Sequence, residues 1–420
     1  MTRRLRGWLC LACLALLTLA TLGWTAQARI EDVTVLMPAP FAESTAPLVQ
    51  QFNQDHKKRI HLTVSSGPRD TEAMSDLAIS SLILGDPPYD ALLIDVTWLP
   101  KYAAAGWLEP LDDAFSREDE ATLVRGAREG NRYDDQLYRW PFNADVGLLY
   151  WRTDLMDSPP HTPAELLSIS LQLIRENAVK TGFVWQGRQY EGLSCDALEI
   201  MRGFGGRWLA SDGQPALTSA AVTRAVNWME ELIRSGASPR AVTNYAETES
   251  LQAFKAGDAA LMRNWPYAWA ELQQPDSAVR GRIGITTMVA EPGQTPVATL
   301  GSWGLSMLKG ARHPQATLEA IRYLTNTDAQ RQRFIAQGYT PTIDALYSDP
   351  ELLAMAPHLP QLAAALDLAV PRPPTPLYAQ ISDVLQRQLS GVLTGDQSGD
   401  EGMTRAQRST STILQSAGGS

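Results

Sequence analysis

Downstream of residue 28 the chain alternates short apolar runs with amphipathic ones. Val33 to Met37 reads as a strand, Ala46 to Gln54 as a helix ending before the basic Lys57-Lys58-Arg59, and Ile60 to Val64 as a second strand. Thr71 to Leu84 carries Met74, Leu77, Ala78 and Leu82 at helical spacing, and Ala91 to Ile94 is a third apolar run of strand length. A βαβαβ order of this kind predicts a mostly parallel sheet with helices on both faces. Trp140 to Tyr150 reads as extended with a proline break, and predicts a first crossing between domains. Helix signals fill Ala164 to about Pro292, among them Thr218 to Ile233 with Thr218 or Ser219 as N-cap. The Gly-rich Gly301-Ser302-Trp303-Gly304 predicts a second crossing. The stiff Pro371 to Pro376 segment is a third connection or a wall of a cleft, and Met403 to Leu414 a final helix. There are no internal repeats.

The first 28 residues have the pattern of an export signal: Arg3, Arg4 and Arg6, then apolar Leu9 to Leu22, then the small-x-small Ala26-Gln27-Ala28. Cys10 and Cys13 fall inside the apolar region, too early for a lipidation site, so the expectation is cleavage after Ala28 and a periplasmic chain without a lipid anchor. The Thr2-Arg3-Arg4 start leaves the export route open. Cleavage leaves Cys195 alone, which excludes an intramolecular disulfide and makes it a buried structural sulfur. A chain of roughly 390 residues buries enough apolar surface for two domains. The formal charge of −10 becomes more negative when the three arginines leave, which disfavours nucleic acid and anionic membrane as partners. The sequence has 12 tryptophans, most of them after residue 28, and a secreted, acidic, Trp-rich chain suits carbohydrate handling.

The usual catalytic signatures are missing: no His-Glu-x-x-His, no Gly-x-Ser-x-Gly, no Gly-x-x-x-x-Gly-Lys. The five histidines have no metal-ligand spacing, and Arg117-Glu118-Asp119-Glu120 lacks that of a calcium loop and reads as a solvated helix start. No cofactor or metal is implied. Aromatic and planar polar groups at segment ends remain. Asp95 closes the third apolar run, at the carboxyl end of a strand where ligands of open α/β sheets gather; it serves equally as cap of the following helix. Arg263-Asn264-Trp265-Pro266-Tyr267-Ala268-Trp269 follows a strand-like run, and Trp303 lies beside glycines, Gly301 among them, that let backbone approach a ligand. A sugar offers an apolar face to indole and a belt of hydroxyls to carboxylate, amide and guanidinium. Trp265, Trp303, Asp95, Asp145, Asn143 and Arg372 have that chemistry, although one tryptophan alone reads first as core and Arg372 alone as a surface ion pair.

Four blocks resemble the periplasmic sugar-binding proteins of ATP-driven (ABC) importers, in particular the trehalose/maltose-binding group. They are Asp95-Val96-Thr97-Trp98-Leu99 with Gly106-Trp107-Leu108-Glu109-Pro110-Leu111-Asp112; Gly182-Phe183-Val184-Trp185-Gln186-Gly187-Arg188-Gln189-Tyr190-Glu191-Gly192; Arg263 to Trp269; and Val370-Pro371-Arg372-Pro373. The resemblance implies an α/β two-lobed periplasmic binding protein fold, with a hinge of crossing segments and an interlobe ligand cleft. It divides the chain into an N-terminal lobe of 29–141 plus about 295–345 and a C-terminal lobe of 142–294 plus about 346–420. It implies hydroxyl acceptors at Asp95 and Asp145, stacking platforms at Trp265 and Trp303, a guanidinium donor at Arg372, and acidic contacts at Glu43 and at Glu249 or Glu247. Asn143 departs from the group, which often has tyrosine there; an amide disfavours maltose and leaves trehalose and glucosylglycerol ahead of sucrose. The implied partners are a small sugar and the membrane permease with its ATPase, engaged by a monomer. The competing reading is a secreted glycoside hydrolase with Asp95 and Asp145 as acid and nucleophile; a surface adhesion protein would need repeats or an anchor.

Overall fold

The structure, a computed structural model, describes residues 30–417; the export signal read over residues 1–28 lies outside them. Two sheets organise the chain. In the first, the strands run in the order Ile60–Gly67, Glu31–Pro38, Ala91–Asp95, Trp303–Met307, Trp140–Asn143. The first three are parallel, as the βαβαβ pattern predicts. Trp303–Met307 then enters antiparallel between Asp95 and Asn143, so the sheet is mixed. No local pattern announces that pairing, because its strands are some 200 residues apart in sequence. Side chains alternate across the sheet: Val33, Val35 and Met37 face one apolar layer, and Leu36, Leu92 and Ile94 face the other with Met74 and Ala78 of the helix Thr71–Ile83.

The second sheet runs Ile283–Thr286, Leu148–Arg152, Ala259–Asn264, Thr181–Val184; Leu148–Arg152 overlaps the run that reads as extended and Ala259–Asn264 the strand-like run before Trp265, while the other two strands lie in the region that reads as mostly helical. The helices Pro163–Arg175, Glu191–Gly203, Ala220–Arg234 and Tyr378–Thr394 share an apolar core with it. Ser219 is the N-cap of Ala220–Arg234, its Oγ accepting from Val222 N–H at 3.4 Å. The last helix is longer than Met403–Leu414, spanning Gly399–Ala417. Among the described residues no helix is long and apolar enough to cross a membrane.

Three connections pass between the sheets and bond to one another. Ala298–Thr299 pairs in parallel with Ala369–Val370. Gly147 N–H donates to Thr299 O at 3.1 Å, and Gly301 N–H to Asp145 O at 2.8 Å. Glu199, on the helix Glu191–Gly203, accepts from Thr299 N–H and from Arg263, and thereby ties the hinge to the second sheet. Gly147 has to be glycine: a Cβ there would overlap the Glu199 carboxylate and the Arg263 guanidinium.

One helix boundary matters for the site. The sequence places the first helix at Ala46–Gln54, but it spans Ala39–Asp55. Pro40 lies in the first turn, where no N–H partner is needed, and Pro47 is accommodated within the helix. The earlier start brings Phe41, Glu43 and Ser44 to the cavity between the sheets.

Candidate functional site

A cavity of about 760 Å³ lies between the two sheets, within the roughly 300–1,000 Å³ of ordinary small-molecule sites. Strand register explains its floor. Trp303 is paired with Asp95 on one side and Asn143 on the other, with a bulge between Trp303 and Gly304, so three residues far apart in sequence meet at one sheet end. Asp95, Asp145, Trp265, Trp303, Arg372, Gly301, Glu43 and Glu249 all line the cavity.

Asp95 is not the N-cap of the short helix Leu99–Ala104; Trp98 holds that position. Its Oδ1 accepts from Thr97 N–H at 2.9 Å and Thr97 Oγ1 at 2.7 Å, which fixes the turn after the strand. Arg372 Nη2 lies 3.1 and 3.3 Å from its two oxygens. Arg372 Nη1 donates to Glu191 Oε1 at 2.6 Å, and Glu191 is held further by Tyr378 and Ser382. The guanidinium thus joins an N-lobe carboxylate to one on a C-lobe helix. Burial lowers its affinity for the proton, but Asp95 and Glu191 more than reverse this, and its pKa is raised. Nε, buried and without a partner, is the donor not yet spent. Arg139, fully buried behind Asp95, is pushed down to about 9 by burial and by Arg372, against the pull of Asp95, and stays charged at neutral pH.

Asp145 has the opposite balance. Burial raises its carboxyl to about 7, although Thr340 Oγ1 donates to it at 3.0 Å and Asn143 Nδ2 at 2.7 Å. No cation is among the groups bonded to it.

Asn143 does not line the cavity. It is fully buried, and its Oδ1 accepts from Trp303 N–H at 3.2 Å while its Nδ2 holds Asp145. It positions two lining residues and is not itself placed to touch a ligand. The argument against maltose drawn from its amide therefore falls.

Trp303 is half-buried and packs between Phe41, at 5.2 Å, and Trp98, at 5.3 Å. Trp265 lies over the Arg263 guanidinium at 4.1 Å and donates from Nε1 to Glu247 Oε1 at 3.2 Å. Gly301 serves Trp265: a Cβ there would stand 2.6 Å from the indole. Replacing Gly301 by alanine is therefore expected to displace the ring, cost about 1–3 kcal/mol in stability by overpacking, and weaken binding about tenfold; urea unfolding and calorimetry check both.

Glu247 and Glu249 both line the cavity, but with different duties. Glu249 Oε2 accepts from Ala246 N–H at 2.9 Å and closes the first turn of its helix, whereas Glu247 is directed at Trp265. Glu43 stands at the mouth, exposed and ion-paired with Arg69 at 2.6 Å. Sequence reasoning missed Phe41, Arg188, Tyr190, Glu191, Tyr267 and Tyr339 as lining residues. Arg188, Tyr190 and Glu191 lie inside one of the four quoted blocks, so the block itself was the available signal. Cys195 also lines the cavity, and burial pushes its thiol well above the ordinary range, which favours the protonated form. Among the described residues no group of three or more His, Cys, Asp or Glu could hold a metal ion.

The lobes meet at both rims of the cavity. Glu72 Oε1 accepts from Glu191 N–H at 3.0 Å, and Gly338 packs against Tyr267 and Ala270. Two α/β lobes joined by three crossing segments, closing on a cavity lined from both sides, define a ligand-capturing protein of the two-lobed class. Residues 38–331 match the family described as bacterial extracellular solute-binding protein, and the chain belongs to that family. It is 33% identical over 340 residues, 78% of this chain and 80% of the relative, to a probable ABC transporter-binding protein of Deinococcus radiodurans. A mannitol-binding protein of Pseudomonas aeruginosa is 24% identical over 79% of this chain and 81% of its own length. The fold resembles maltose-bound T. maritima MalE3 with a TM-score of 0.85 at 29% identity, covering 91% of this chain and 99% of that one.

Proposed function

We propose that this protein captures a small glucoside or disaccharide in the interlobe cleft and delivers it to the permease of an ABC importer. The observation that carries the reading is the pairing of an indole from each lobe, Trp303 and Trp265, in one cavity with the carboxylates of Asp95 and Asp145. The two rings supply apolar platforms for a pyranose face and the carboxylates accept from its hydroxyls. The mannitol and maltose named for the relatives support a polyhydroxylated ligand. Trehalose, glucosylglycerol, sucrose and maltose are the candidates, with Arg372, Glu43, Gly301 and Glu247 or Glu249 completing the contacts. In this reading residues 29–141 with about 295–345 form one lobe, 142–294 with about 346–420 the other, and the mature protein is a periplasmic monomer.

Closure follows from contact with both lobes, since a ligand that touches both favours the closed state by its differential affinity. A micromolar dissociation constant needs about −8 kcal/mol. Two stacks at about 0.5–1.5 kcal/mol each and several hydrogen bonds at about 1 kcal/mol each reach that only if most of the lining engages together. Calorimetry with the four candidate sugars is expected to give saturable one-to-one binding to at least one. Heat from none of them overturns the reading.

The raised pKa of Asp145 is the one observation that favours a glycosidase, because a general acid needs it. Asp95 argues the other way: a nucleophile held by Arg372 and Thr97 has little electron density to donate. Incubation with the bound disaccharide is expected to release no glucose.

A further inference from the structure

A second chamber, of about 190 Å³, lies beside the main cavity, and Thr71 and Glu191 line both. Its walls come from both lobes. Helix Thr71–Ile83 contributes Glu72, Ser75 and Asp76, and the turn and helix after Asp95 contribute Trp98, Lys101 and Tyr102. Helix Tyr378–Thr394 contributes Tyr378, Asp383 and Gln386 from the other lobe. Glu191 is fully committed to Arg372, Tyr378 and Ser382, and its N–H to Glu72.

Two independent features point to an occupant. Tyr102 is fully buried, yet its hydroxyl makes no hydrogen bond of normal geometry, Ser75 being the polar side chain nearest to acting on it, and an under-satisfied buried hydroxyl costs about 1–3 kcal/mol. The charge is also lopsided: Glu72, Asp76 and Asp383 face the chamber against Lys101 alone, with Asp383 paired to Arg387 at 2.9 Å. Carboxylates beside the rings of Trp98 and Tyr378 suit an organic ammonium, which bonds to the former and rests on the latter. At roughly 30 Å³ per water the chamber has room for a molecule of about six to eight heavy atoms.

We propose that this chamber is a second ligand site, for a small alkylammonium ion, and that its occupation favours the closed arrangement of the lobes. The ammonium bonds to the Asp76 and Glu72 carboxylates and to the Tyr102 oxygen on one lobe, while its alkyl body packs on Tyr378 of the other. A ligand held by both lobes stabilises the closed state, and by linkage a cleft ligand and the ammonium each tighten the other.

The probe is 1,4-diaminobutane, titrated by calorimetry without sugar, so the outcome does not depend on what the main cleft binds. The expected result is saturable one-to-one binding. Asp76→Asn weakens it about tenfold, as for a lost charge-assisted hydrogen bond, and Tyr102→Phe about fivefold. Small-angle scattering is expected to show a smaller radius of gyration with the diamine than without it. Neither residue lines the main cavity, so sugar affinity measured without diamine stays unchanged in both variants, which also certifies their folding. Absence of saturable binding overturns the site. So does equal binding by wild type and both variants, which would mean diffuse attraction to an acidic surface. Binding without compaction overturns the link to closure.

Discussion

Arg372→Ala is expected to abolish measurable sugar binding and to lower stability by about 3–5 kcal/mol, the usual cost of stripping one partner from a buried ion pair. The guanidinium is almost fully buried and contacts Asp95, Glu191 and the carbonyl of Leu300, so its loss acts on both lobes and the hinge together. Asp95 keeps its bonds from Thr97 but loses the only cation bonded to it among the described residues, with Arg139 close enough to act on it only through space. Glu191 keeps Tyr378 and Ser382. The damage is therefore concentrated at the N-lobe carboxylate and at the link between lobes. Arg372→Lys separates the two effects. A single ammonium restores charge near Asp95 but lacks the fork that reaches Glu191 at the same time. It is expected to recover a large part of the stability and little of the affinity. Urea unfolding and calorimetry read the two quantities; full affinity in the alanine variant would remove Arg372 from the closing machinery.

The second large effect is a pH dependence set by Asp145. Its carboxyl titrates at about 7 in the folded protein, raised by burial against the bonds from Thr340 and Asn143, whereas an unfolded aspartate titrates near 4. Between those values the native state holds a proton that the unfolded state has released, so stability falls as pH rises and the loss is complete above about 7. Three units at about 1.4 kcal/mol each set an upper limit of about 4 kcal/mol. An open, wet cavity brings the figure to about 2–3 kcal/mol. In Asp145→Asn this slope disappears. The amide of the variant can keep both bonds, its oxygen accepting from Asn143 and its NH2 donating to the Thr340 hydroxyl, and the difference between variant and wild type shifts toward the variant from pH 4 to pH 7. Urea unfolding at half-unit intervals of pH checks it, and parallel slopes would place the titration elsewhere. If Asp145 accepts from a sugar hydroxyl, wild-type affinity also rises between pH 6 and pH 8, and that rise is lost in the variant.

Asp145 and Asn143 show how far residue chemistry carries before geometry intervenes. Both have sugar-binding chemistry and they are two positions apart, yet one faces the cavity and the other is spent entirely inside the protein. The bulge at Trp303 and the turn into the hinge decide which is which; the sequence marks the crossings themselves but not which side chain each turns toward the cavity. Gly301 reads as a site of close ligand approach; it lines the cavity, and its missing side chain also makes room for Trp265, which the sequence does not show. Glu249 reads as an acidic contact; it lines the cavity while one of its oxygens also caps a helix, a second duty that the sequence does not show.

Local pattern alone determined the parallel strands of the first sheet, the helices Thr71–Ile83 and Ala220–Arg234, and the crossings near Trp140 and Gly301. Each is written in nearest-neighbour terms: alternation, helical spacing, caps and breaks. Asp95 was marked by its place at the end of an apolar strand, and that too is local. Tertiary structure alone decided the antiparallel insertion of Trp303–Met307, the strands Thr181–Val184 and Ile283–Thr286 within a helix-rich region, and the bond from Arg372 to both Asp95 and Glu191. Those depend on pairing energies between segments as many as 277 positions apart, and on burial that no single segment can express.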